Sequence, residues 1–170
     1  MALQASNVKM TDWGVMGCAA GLLLFSFVGS FVTVSFDNAE ELSALTGGDP
    51  SGGVSSAWSS YGGLGVVLLL AVGAVAAALV FGDVSLPTIP VGWNLVLAGA
   101  AALGTLLLVL RAFTYAEGGE ILGGSVSFGP GWSGWLVMLL AVAETVFAVL
   151  AFRASGEQAP WRQTSSRPPT

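Results

Sequence analysis

The chain contains no histidine and one cysteine, Cys18, in 170 residues. Without imidazole there is no Ser-His-Asp or Cys-His catalytic pair, and one thiol allows neither an intrachain disulfide nor a Cys/His zinc site. Bases are also scarce: five Lys and Arg stand against ten Asp and Glu, for a net charge of −5. No cationic stripe is available for nucleic-acid phosphate. No cofactor motif is present, so no cofactor is expected. Charged residues of both signs make up only 9% of the chain, too few to cover a soluble domain.

What replaces charge is hydrocarbon. The chain is 54% hydrophobic, with a mean hydropathy of +0.80. Four apolar runs can be drawn, Trp13–Ser35, Gly63–Gly82, Gly92–Ala112 and Trp132–Phe152. Each has roughly the 20 residues that a helix rising 1.5 Å per residue needs to cross about 30 Å of lipid. The expected fold class is therefore all-α membrane, a four-transmembrane-helix bundle. It places an N-terminal tail at 1–12, one membrane domain at 13–152 and a polar tail at 153–170. That tail, with Pro160, Pro168 and Pro169, has too little apolar surface to offset ordering and is predicted disordered. The first run is too long for a signal-peptide core and reads as an uncleaved anchor. Cys18, followed rather than preceded by that run, reads as a small packing residue instead of a lipid-modified one.

Lys9 precedes the first run, Arg153, Arg162 and Arg167 follow the last, and Arg111 is the only base between. By the positive-inside rule both termini are expected in the cytoplasm. The first external loop, 36–62, then carries Asp37, Glu40, Glu41 and Asp49 and no base. A short helix capped by Asp37 or Asn38 is predicted to run to Leu45, with Glu40 or Glu41 completing a capping box. Gly47 to Gly53 read as turn and flexible linker. These acids lack the ordered spacing of an EF-hand. Pro87 and Pro90 close the second loop, so the second and third spans form an antiparallel hairpin. In the third loop, 113–131, Ile121 to Phe128 read as a weak ribbon. Its acids Glu117 and Glu120 are flanked by glycine and read as solvated charges, not a catalytic pair, so no enzyme is expected. Trp, Tyr and Phe cluster at both ends of the runs, as interfacial rings do.

Lipid supplies no hydrophobic drive between helices, so small residues must bring backbones together. Gly17 with Gly21, Gly73 with Ala77 and Ala100 with Gly104 have the required spacing. With 24 glycines in the chain, chance produces such spacings too.

Glu144 lies within the last run, with no other acid so deep in any of them. Ten Leu, Val and Phe residues there contribute roughly −3 to −6 kcal/mol to insertion, against a cost of about 2.5 to 3.5 for one central acid. The run still inserts. Counted from Phe152, Glu144 sits about 12 Å deep, level with Gly21, Gly73 or Ala74, and Gly99 or Ala100. Arg111 is more than about 15 Å away in depth by the same rise. Three readings stay open. Glu144 is a neutral packing residue hydrogen-bonded to a carbonyl, to Thr145 or Ser26, or to its copy in an oligomer. It is a proton or cation site in a wet cavity. Or it pairs with a base of a partner protein.

The order of features resembles small actinobacterial membrane proteins, in particular the family of the mycobacterial proline-rich-tailed membrane antigen. The likeness rests on four spans, the external Gly47-Gly48-Asp49, a third loop with Tyr, Ser and Gly running into Gly131-Trp132 and Trp135, and a proline-bearing tail. Low Lys with high Ala, Gly and Val looks like a high-GC bacterium. The resemblance implies an envelope-associated role with no catalytic residues. The expected partners are the lipid bilayer and a second copy or another membrane protein. The expected function is non-enzymatic contact within a membrane assembly, with a small transporter or channel subunit using Glu144 as the alternative.

Overall fold

The computed structural model describes residues 9–49, 51–81, 87, 89, 91–115, 119–121 and 124–157. Helix α1 (Met10–Ser26) leads into strand β1 (Val32–Phe36), short helix α2 (Ala39–Thr46) and strand β2 (Gly52–Ser55). Helices α3 (Gly62–Phe81) and α4 (Trp93–Phe113) follow, then strands β3 (Gly119–Ile121) and β4 (Gly124–Pro130), and finally helix α5 (Trp132–Ser155). The described part is thus mostly helical. The N-terminal residues before Lys9, most of the second loop including Pro90, Glu117, and the tail beyond Glu157 with Arg162 and Arg167 lie outside the described residues.

Three helices, α3, α4 and α5, are long and apolar enough to cross a membrane, with mean hydropathies of 2.8, 2.1 and 2.3. Their bounds fall within three residues of those expected. The first run is a correction. Its helix stops at Ser26 after 17 residues, about 25 Å at 1.5 Å per residue, and Val32–Phe36 is a strand. Hydropathy alone does not separate a buried strand from a helix. Here the alternating, β-branched Val32-Thr33-Val34 takes its hydrogen bonds from two neighbouring strands instead of from its own turn.

Those neighbours build the second correction, a four-stranded antiparallel sheet of order β2-β1-β4-β3. All-α therefore describes the long apolar helices and not the loops that join them. The longest ladder pairs β1 with β4, from Val32 opposite Pro130 to Phe36 opposite Val126, and so joins the first and third loops. The expected ribbon exists, as β3 against β4, but it is the margin of a larger sheet. Gly52 and Gly53 belong to β2 rather than to a linker. Single-loop patterns do not show this, because β1 and β4 are about 90 residues apart in sequence.

Helix α2 matches the short helix expected in the first loop and ends at Gly47, whose left-handed φ of 75° suits glycine. Its cap differs from expectation. Asn38 occupies the capping position without a side-chain bond, and the Asp37 carboxylate instead accepts from the Ser125 hydroxyl on β4.

The four long helices form a ring in which α1 and α4 each pack on both α3 and α5. Each turns one stripe inward: Val15, Cys18, Ala19 and Leu22 from α1; Val66, Leu69, Val72 and Gly73 from α3; Ala98, Ala101, Gly104 and Leu108 from α4; Val137, Ala141, Glu144 and Ala148 from α5. Outward residues are equally apolar: Leu139 is 64% and Leu106 53% exposed. A helix apolar on all sides belongs in lipid. The sheet caps the end of the ring where α1 and α4 finish and α3 and α5 begin. Aromatic pairs gird that end, Phe25 with Trp132, Phe27 with Trp58 and Phe113 with Trp135, while Trp13 meets Phe81 at the other.

Candidate functional site

The small residues decide how close the helices come. A Cβ on Gly73 would overlap the Ala19 methyl, so this glycine sets the approach of α1 to α3. A Cβ on Gly104 would stand 2.9 Å from the Gly65 carbonyl oxygen, and one on Gly65 would stand 2.7 Å from that of Gly104. Gly104 therefore faces Gly65 across α3 and α4. Gly65 carries no small-residue signal in the sequence, because its neighbours at four-residue spacing, Tyr61 and Leu69, are large. Gly21 stands against Leu140 of α5, whereas Gly17 is exposed with open space around it and packs on nothing. Ala77 and Ala100 are half-buried.

Glu144 is on the inward stripe of α5 and has no exposed surface. Ala141 and Ala148, one turn to either side on the same stripe, leave room for its longer side chain. The carboxyl reaches toward α3, where Oε1 lies 4.0 Å from the position of a Gly73 Cβ, and Cys18 of α1 is within electrostatic reach. Both carboxyl oxygens are buried without a hydrogen-bond partner. The two hydroxyls expected to satisfy it are engaged elsewhere. Ser26 donates to the Leu23 carbonyl at 2.9 Å and accepts from Trp58 Nε1 at 2.9 Å. Thr145 shares a 2.9 Å bond with Thr105, whose hydroxyl also lies 2.9 Å from the Ala141 carbonyl. Glu144 thus faces the interior of its own bundle.

The depth assignment also needs correction on two helices. Gly73 is level with Glu144 as expected, but α1 presents Cys18 and Ala19 rather than Gly21. On α4 the Thr105–Thr145 bond brings residue 105, not 99 or 100, to this level. Helix α5 continues three residues past Phe152, so a count from Phe152 places Glu144 too shallow. Glu144 is midway along its helix, and Arg111 is six residues beyond Thr105 on α4, about 9 Å along the axis.

Arg111 is also buried, 9% exposed, in the last turn of α4. A cation is favoured there by the helix dipole. Its guanidinium lies 4.4 Å from the Tyr115 ring centre and 5.8 Å from that of Tyr61, and Nη2 donates to Ser59 Oγ at 3.3 Å. Rings and a hydroxyl from both loops thus converge on one cation. At the opposite end of the bundle the Glu157 carboxylate accepts from the Asn94 side chain at 2.9 Å and from the Leu95 backbone N–H at 3.4 Å, tying the end of α5 to the start of α4.

Between that end and Glu144 lies a cavity of about 240 Å³, with Asp12 and Asn94 toward the helix ends and Val15, Val72 and Ala148 at its inner limit. Among the described residues no three His, Cys, Asp or Glu side chains converge as a metal-ligand set. Glu120 lies in β3, apart from the bundle interior. No protein-family model, curated protein or solved structure matches this chain.

Proposed function

We propose that this chain is a non-enzymatic, four-span protein of the bacterial plasma membrane, both termini cytoplasmic, that acts by contact as a subunit or accessory of an envelope assembly. In this reading α1 is the fourth span, since it packs in the same ring as the three longer helices. Its likeness to the proline-rich-tailed antigen family belongs to the same proposal. The observation that carries it is the sheet. It gathers the first and third loops into one surface whose margin, β2, exposes Gly52, Gly53 and Val54 and bears no charge, whereas edge strands that avoid partners usually carry charge or proline. The test is photocrosslinking from position 54 in intact membranes, with native sizing of the extracted protein. A crosslinked neighbour or a stable oligomer supports the reading; a lone monomer with no crosslink ends it.

A second reading, a small transporter or channel subunit, is favoured by the unsatisfied carboxyl of Glu144. Intramembrane acids of that kind mark ion or proton paths. It predicts that Glu144→Gln removes proton- or cation-dependent flux in proteoliposomes at unchanged expression. Unaltered flux disposes of it.

A further inference from the structure

We propose that the cavity at the sheet-distal end is a hydrated access route through which Glu144 exchanges a proton with solvent on that side. The proposal rests on Glu144 being a site, as in the second reading, but requires no net transport.

Three observations converge. Glu144 is fully buried with neither oxygen bonded, an arrangement that costs free energy unless a proton and water complete it. The cavity's inner limit is set by Val72, adjacent to Gly73, and by Ala148, one turn from Glu144 on the same inward stripe. Its outer part is bordered by the polar Asp12 and Asn94 in the first turns of α1 and α4. At about 240 Å³ it has room for several waters, which need polar partners; Asp12 and Asn94 supply them at the outer end, an aliphatic sleeve follows, and Glu144 lies one turn beyond Ala148 of its inner limit.

The occupant of the carboxyl follows from what surrounds it. A metal cation needs about six oxygen ligands, but Gly73 and Ala19 opposite the carboxyl carry none, and the hydroxyls at this level, Thr105 and Thr145, are bonded to each other. The inward stripe of α4 adds alanine, glycine and leucine at this level, with Arg111 nearer the sheet. Among the described residues Cys18 is the one other titratable group coupled to Glu144, and Asp12 lies nearer the mouth. A proton needs only the one carboxyl.

The single native cysteine makes the route testable in the full chain. In a Cys18→Ala background reconstituted in liposomes, a charged, membrane-impermeant methanethiosulfonate added on the sheet-distal side is expected to modify Ala148→Cys and Ala76→Cys, on the cavity wall, but not Val146→Cys on the outer face. A water-soluble carbodiimide should then label Glu144, read by mass spectrometry, and labelling should be lost once Ala148→Cys carries a bulky thiol adduct. Absence of modification at both wall positions, or Glu144 labelling undiminished by the plug, overturns the proposal. Labelling that obeys the plug while Glu144→Gln leaves flux unchanged upholds the route and removes only the transport reading.

Discussion

Arg111 and Glu144 are both buried and ionisable, yet their surroundings differ in kind. Around Arg111, at the rim beneath the sheet, two tyrosine rings and a serine from separate loops contact one guanidinium. Around Glu144, in the middle of the ring, Gly73 and Ala19 stand opposite, the Thr105 and Thr145 hydroxyls are bonded to each other, and both carboxyl oxygens go unpaired. The rim thus uses its charge to hold structure together, while the centre tolerates a charge-bearing group that holds nothing. A group retained at a cost where it does not stabilise is the expected mark of function.

The comparison depends on the helices being as close as they are, so the largest effect should come from prising them apart. Gly65→Leu forces a side chain against the Gly104 carbonyl and should cost about 3 kcal/mol or more, read as a large fall in melting temperature in detergent. A wild-type midpoint would mean that α3 and α4 do not meet there. Arg111→Ala should cost about 2 kcal/mol through lost ring and hydroxyl contacts and should open the first and third loops to protease together. Cleavage in only one loop would show that Arg111 does not join them.

Glu144→Leu should move the other way, raising stability by about 1 kcal/mol, because an unpaired buried polar group is replaced by an apolar one of similar size. Destabilisation of the size expected at Arg111 would show that the carboxyl is bonded after all and would erase the contrast. Thr105→Val tests the neighbouring satisfied pair. Losing its bonds to Ala141 and Thr145 should cost about 1 kcal/mol, with Thr105→Ser largely sparing it. The smallest effect is expected from Glu157→Ala, which uncaps α4 at about 0.5 to 1 kcal/mol. Hydrogen exchange should rise in the first turn of α4 alone.

Much of the helical frame is legible in the amino-acid order. Runs of Leu, Val and Ala some 20 residues long have one low-energy solution in lipid, and α3, α4 and α5 follow them closely. The short helix of the first loop is likewise visible, although the side-chain cap expected to start it is not formed. The sheet is not, because strand pairing joins residues distant in sequence and β1 looks like a continuation of an apolar run. The site is half legible. Glu144 stands out as the lone acid at depth, but its neighbours do not follow from counting residues, since helix levels depend on where helices begin and end.

By itself the sequence determined that this chain is apolar enough for a membrane, that chemistry needing imidazole or paired thiols is excluded, and that one carboxyl lies deep in a helical run. Only the tertiary structure decided which way that carboxyl faces, that Thr145 and Ser26 are already engaged, and that a cavity approaches it from one end. Composition and periodicity are local sums along the chain, whereas burial, pairing and open space arise from contacts between segments far apart in it.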